Sequence, residues 1–152
     1  MNNNATSLYL ENQLCFPLYA ASRLTTKIYT PLLKEDDLTY PQYLVLLVLW
    51  QFGSMSVNEI CNRLLLESNT VTPLLKRLEK KNLIERNRSA ADERVVIISL
   101  TQKGEKLKEK AVSIHEQLVN SFIDVNLNES EVISLQKTLF KLIDILNKKL
   151  QQ

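Results

Sequence analysis

The stretch Ser56–Thr101, SVNEICNRLLLESNTVTPLLKRLEKKNLIERNRSAADERVVIISLT, constrains the fold more than any other part of this chain. It reads as a helix, a short turn, a second helix, and two strands joined by a charged loop. Ser56 with Glu59 three residues on is the pattern of a capping box, and Ile60, Cys61, Leu64 and Leu65 form the expected buried face of the helix it opens. Ser68 is the expected N-cap of the second helix, whose apolar side is Val71, Leu74, Leu75 and Leu78. Pro73 lies near enough to its start to remove only one early backbone hydrogen bond. Asn82 breaks this helix, and Leu83–Arg86 and Val95–Leu100 read as strands. The loop between them has no glycine, which excludes a tight primed turn.

The polar side of the second helix carries a specific chemistry. Ser68, Asn69, Thr70 and Thr72 offer short hydrogen-bonding groups at its leading end, and Lys76, Arg77, Lys80 and Lys81 offer cations later. That is what a helix needs to lie in the major groove of DNA. Asn69, Thr70 and Thr72 are candidate base contacts, while Lys76, Arg77, Arg86 and Arg88 suit phosphates. Arg94 is placed to enter a minor groove, with Asp92 fixing its orientation by a charge-assisted hydrogen bond. The fold expected is mainly α with a small β-wing: a winged helix-turn-helix with additional N- and C-terminal helices.

Whole-chain charge does not decide this reading, because the net value is only +2. Its distribution does more: Lys76–Arg94 holds seven cations against four anions, a local +3 that leaves the remainder at −1. A run of cations is more often a solvated helix face. Here the Ser-Asn-Thr start and the wing arginines favour DNA.

Outside this stretch the chain is helical, with two glycines and four prolines in 152 residues. Leu14, Leu18, Ala21, Leu24, Ile28 and Leu32 recur at helical spacing. Pro17 fits the first turn if that helix begins near Cys15, whereas a start at Leu10 demands a kink near Gln13. Thr39-Tyr40-Pro41 opens a core helix that Gly53 ends. Leu107, Ala111, Ile114, Leu118 and Phe122 continue a stripe to about Val125, and Asn128 with Glu131 starts a last helix through Leu150. A single winged helix needs no such long extra helices to close its core, so they suit a dimer interface.

The chain has no signal-peptide pattern, no span of about 20 apolar residues and no disulfide framework, so a cytoplasmic protein with free thiols is expected. His115 is isolated from any other ligand at metal spacing, and neither metal nor cofactor is expected.

The segment LxxxSNTVTPLLKRLEKKNLIERNRSAADERVVIISLTQKG resembles the recognition-helix and wing signature of the MarR family. LENQLCFPLYAASR, Tyr29 and LTYPQYLVLLVLW are similar to its organic hydroperoxide resistance regulators. The resemblance implies a homodimeric repressor on a pseudo-palindromic double-stranded operator, induced by an organic hydroperoxide and away from any membrane. It implies one MarR-type domain over residues 1–152, with 8–34 and 102–152 as dimerisation helices around a DNA-binding region of 38–101. It also implies Cys15 as the peroxide-reactive thiolate, with Tyr29 and Tyr40 as its hydrogen-bond donors. Two departures stand out: Pro17 replaces a plain apolar residue, and the C-terminal helices hold no cysteine that could resolve an oxidised Cys15.

A thiol reduces peroxide as thiolate, and free cysteine, with a pKa of about 8.5, is mostly protonated at neutral pH. The positive end of a helix beginning near Cys15 would favour the anion, and Tyr19 at i+4 can approach on the same face. Tyr29, fourteen residues on, lies about 21 Å away along a continuous helix. It cannot reach Cys15 of its own helix, so if Tyr29 contacts Cys15 it most simply comes from a partner subunit. The plainer reading of Cys15 is a small buried hydrophobe, which is also the reading for Cys61 among Ile60, Leu64 and Leu65. Competing functions are a MarR-type regulator answering a small aromatic ligand or general oxidants, a thiol peroxidase, and a structural dimer.

Overall fold

Local caps set most helix boundaries in the computed structural model, which describes residues 4–123 and 127–150. Short 3-10 turns at Asn4–Leu8 and Leu10–Asn12 precede helix α1, Cys15–Lys34. The start at Cys15 settles the alternative left open by Pro17, which falls in the first turn. Pro31 is the proline inside this helix, where it offers no N–H to the Lys27 carbonyl. Helix α2 spans Tyr40–Phe52; Gln42 Oε1 accepts from the Thr39 amide at 3.0 Å, and Gly53, at φ 76°, ends it. Strand β1 is Met55–Ser56 and helix α3 is Val57–Leu64. The Ser56 amide donates to Glu59 Oε2 at 2.7 Å, completing the predicted capping box.

Helix α4 spans Ser68–Lys80, followed by β2, Ile84–Arg88, and β3, Val96–Leu100. Its N-cap is Glu67, with no side-chain hydrogen bond, so the expected capping role of Ser68 is not taken up; Ser68 is the first helical residue instead. The three strands form one antiparallel sheet in the order β1-β3-β2, with Met55 opposite Ile98 and Arg86 opposite the same Ile98 on the other side. Helix α5 is Gln102–Phe122 and α6 is Glu129–Leu150. Asn128 and Glu131 exchange the predicted start hydrogen bonds, at 2.9 and 3.1 Å. Val125, where the α5 stripe was expected to end, lies outside the described residues.

The chain divides into two compact units, one running to Ala111 and the other from Val112. The core of the first is built by α2, α3, α4 and the sheet: Leu46, Ile60, Leu75, Leu78 and Ile98 have no exposed surface. One apolar expectation fails. Leu65 stands exposed because it caps α3 in the left-handed conformation, at φ 54°, which turns its side chain out of the α3 stripe. The α1 stripe is largely uncovered in the single chain: Leu14, Leu24 and Ile28 are exposed, and only Tyr29 and Leu33 of α1 are buried.

Candidate DNA-reading surface and thiol site

Val71, Leu75 and Leu78 anchor α4, and at 100° per residue the side chains diametrically opposite are Asn69, Pro73, Lys76 and Lys80. Burial of three positions therefore fixes which groups the helix presents. Ser68, Asn69, Thr70, Lys76 and Arg77 are exposed, while Thr72 is half-buried. Thr70 Oγ1 donates to Asn69 Oδ1 at 3.2 Å, so the two candidate base-contact groups already orient each other. The turn before α4 is held by the Leu66 amide on the Cys61 carbonyl, 3.0 Å.

The wing is tied from within. Ser89 N–H donates to Val95 O at 2.8 Å, and Arg88 Nη1 donates to Glu93 O at 3.4 Å. Asp92 Oδ1 accepts from the main-chain amide of Arg94 at 2.9 Å. Asp92 thus fixes the backbone of Arg94, and the guanidinium stays exposed. Arg86, expected at a phosphate, is half-buried and faces Glu79 Oε2 of α4 at 3.5 Å. Lys81, at the far end of α4, pairs with Asp37 at 2.8 Å, and its hydrogen bond holds the Asp37 carboxyl below the usual carboxylate range.

Cys15 is exposed at the first position of α1. The Tyr19 hydroxyl, expected to approach the thiol, accepts from Arg23 Nη1 at 2.9 Å, and the guanidinium stands 5.5 Å from the ring centroid. Tyr29 and Tyr40, eleven residues apart, are brought together with ring centroids 4.6 Å apart. Burial, with Tyr40 and Tyr43 beside it, pushes the Tyr29 phenol up to about 12, and burial also raises Tyr40 and Tyr43. All three are neutral O–H donors at physiological pH. Tyr43 and Trp50 extend this cluster and were not anticipated: the Tyr43 ring lies 5.7 Å from Tyr29 and 6.1 Å from Trp50. The seven-residue spacing of Tyr43 and Trp50 on one helix face was the available signal.

Cys61 is buried, and burial pushes its thiol up, as expected of a packing residue. His115 is exposed, and no group of His, Cys, Asp and Glu among the described residues could hold a metal. No described helix is long and apolar enough to cross a membrane.

A family described as transcriptional regulator SarA/Rot matches residues 27–111. The organic hydroperoxide resistance transcriptional regulator of Bacillus subtilis strain 168 is 45% identical over 150 residues, covering 98% of this chain and 99% of that protein. AbfR of Staphylococcus epidermidis is similar in structure. Its reduced form bound to DNA matches with a TM-score of 0.77 at 36% identity, covering all of both chains. Its disulfide-formed state matches with a TM-score of 0.62 at 35% identity, covering 99% of each.

Proposed function

This chain belongs to the MarR-type transcriptional regulators, among the organic hydroperoxide resistance regulators, and on that premise we propose how its residues divide the work. It is a homodimeric repressor that binds double-stranded DNA, senses organic hydroperoxide through cysteine oxidation and releases its operator. Asn69, Thr70 and Thr72 read base edges; Ser68, Lys76, Arg77 and Arg88 hold the phosphate row; Arg94, set by Asp92, enters the minor groove beside the wing. Arg86 contributes by bracing the wing through Glu79.

Cys15 is the sensor. Its thiolate attacks one oxygen of the hydroperoxide; an S–O bond forms as the O–O bond breaks, two electrons leave sulfur, and the departing alkoxide takes up a proton to become an alcohol. Cys15 is left as a sulfenic acid. Tyr29 and Tyr40, as neutral phenols, donate to the thiolate and to the oxygen it acquires. Tyr19, one turn on from the thiol, carries Arg23 on its hydroxyl.

The observation that carries this reading is that α1 runs unbroken from Cys15 to Lys34 while Tyr29 packs against Tyr40. About 21 Å of helix separates Tyr29 from the cysteine of its own chain. The tyrosine pair therefore serves the cysteine of the partner subunit, and residues 8–34 and 102–152 form the dimer interface. A site shared between subunits makes oxidation a change in the interface. Because the two reading heads must stand about 34 Å apart for successive half-sites, a modest rotation releases the operator. The Bacillus subtilis relative is named a transcriptional regulator, AbfR is solved bound to DNA, and the second cysteine, Cys61, is buried, all of which favour a regulator over a peroxidase. We infer that the protein works in the cytoplasm, beside its DNA.

Mixed dimers test the arrangement. With Cys15→Ser in one subunit and Tyr29→Phe in the other, a cross-subunit site leaves one of two sites intact, and peroxide still oxidises one cysteine at the wild-type rate. With both substitutions in the same subunit, neither site survives. The opposite pattern overturns the cross-subunit assignment. The Cys15→Ser homodimer should stay on the operator at every peroxide dose in a gel shift.

A further inference from the structure

We propose that Trp50 is a positioning residue that carries oxidation at the thiol site to the recognition helix, through the Tyr29–Tyr43–Trp50 ladder and a hydrogen bond to Gly104. The inference rests on the reading of Tyr29 and Tyr40 as the donors to Cys15.

The route is contiguous at every step. Tyr29 lies 4.6 Å from Tyr40 and 5.7 Å from Tyr43 by ring centroids. Tyr43, with 3% of its surface exposed, meets Trp50 edge to face, 6.1 Å away at 71°. Tyr43 and Trp50 sit two turns apart on α2, so any displacement of one ring is borne by a rigid helix rather than a loop. The indole N–H, the one donor of that side chain, is bonded to the Gly104 carbonyl in the first turn of α5 at 3.0 Å. Lys108 Nζ, one turn further on, donates back to the Trp50 carbonyl at 3.3 Å. The end of α2 is thus clipped twice to the start of α5.

That start is in turn seated on the turn that ends α4. Thr101 donates its amide to Leu83 O at 3.1 Å and its hydroxyl to Asn82 O at 2.7 Å, and the Gly104 amide donates to the Thr101 hydroxyl at 3.1 Å. A Cβ on Gly104 would stand 2.1 Å from the Leu83 carbonyl oxygen. The helix rests on the main chain of the turn with no slack to absorb a shift, and close-packed interiors transmit strain. Asn82, at φ 58°, is the residue that stops α4. The competing route through the α1–α2 turn, the Asp37–Lys81 ion pair, is weak because the Asp37 carboxylate is almost fully exposed.

The chain has a single tryptophan, which makes the test direct. Trp50→Phe keeps an aromatic ring against Tyr43 and removes the indole N–H. Operator affinity is measured before and after stoichiometric organic hydroperoxide, with Cys15 oxidation followed by intact mass. The expected result is wild-type oxidation, reduced-state affinity within about twofold of wild type, and an oxidation-induced loss of affinity smaller by about threefold or more. An unchanged loss factor at equal oxidation overturns the proposal and leaves the sensor reading standing, even if the variant melts earlier, because that is what a merely structural tryptophan does. A wild-type protein that keeps its operator after full oxidation overturns both. If the variant does not fold, the wild-type indole emission decides: it should shift on oxidation and stay fixed in Cys15→Ser, and emission unmoved in the wild type overturns the proposal.

Discussion

Helices α4 and α6 have similar amphipathic recipes, leucines and lysines at three- and four-residue steps, and opposite fates. In α4, Val71, Leu75 and Leu78 have no exposed surface, because α2, α3 and β2 all pack on that side. In α6 no residue is buried, and Leu135 and Phe140 stand 53% and 60% exposed. The same periodicity thus marks a core stripe in one helix and an uncovered stripe in the other. Exposed apolar rows of this kind belong to an interface. The reading head closes its core within one chain, whereas the terminal helices are built to be completed by a second copy, as proposed above.

Breaking the second half of this contrast should have the largest effect. Phe140→Glu puts a charge in the uncovered stripe; operator affinity should fall by about 100-fold or more as bivalent binding to two half-sites is lost, with sedimentation showing monomers and circular dichroism still showing helix. A wild-type affinity for this variant would mean that α6 does not face its partner.

Matched truncations sharpen the comparison. Leu75→Ala should cost about 2–5 kcal/mol at any protein concentration, since it opens a cavity in a closed core. Leu135 is 53% exposed in the single chain, and Leu135→Ala should instead show a loss that grows on dilution if the proposed second copy covers it. Thermal unfolding across a concentration series separates the two.

Within the reading head, Arg94→Ala should weaken operator binding by about 1–3 kcal/mol and flatten its salt dependence by about one charge. Binding isotherms at several salt concentrations check this, and unchanged affinity removes Arg94 from the groove.

The smallest effect lies at the tyrosines. Tyr29 keeps its proton to about 12, against 10.0 for the ordinary phenol. In the pH window between those values the unfolded chain has lost this proton while the native state retains it. The stability it contributes is intact below pH 10 and lost as pH rises towards 12. Tyr29→Phe should therefore make the fall in stability over that window shallower, measured by denaturant unfolding at stepped pH. A residual slope should remain, because burial raises Tyr40 and Tyr43 as well.

The elements legible in the sequence were those whose signals act over three or four residues. Ser56 with Glu59, Asn128 with Glu131, and the stop at Gly53 all behave as their local chemistry dictates, because each hydrogen bond closes within one helical turn. The reading face of α4 followed for the same reason: three buried apolar positions fix the opposite side of any helix. Leu65 was misjudged because periodicity alone does not reveal where a left-handed cap rotates a side chain out of its stripe.

The sequence by itself therefore determined the winged reading head, the polar and cationic edge it presents, and a thiol at the head of the first helix. Tertiary structure alone decided which distant groups meet. Arg86 meets Glu79, Tyr43 and Trp50 join the Tyr29–Tyr40 pair, and the missing side chain of Gly104 lets α5 rest on Leu83. The physical reason is that partners dozens of residues apart in sequence are set by how helices pack, and packing is a property of the whole core rather than of any one turn.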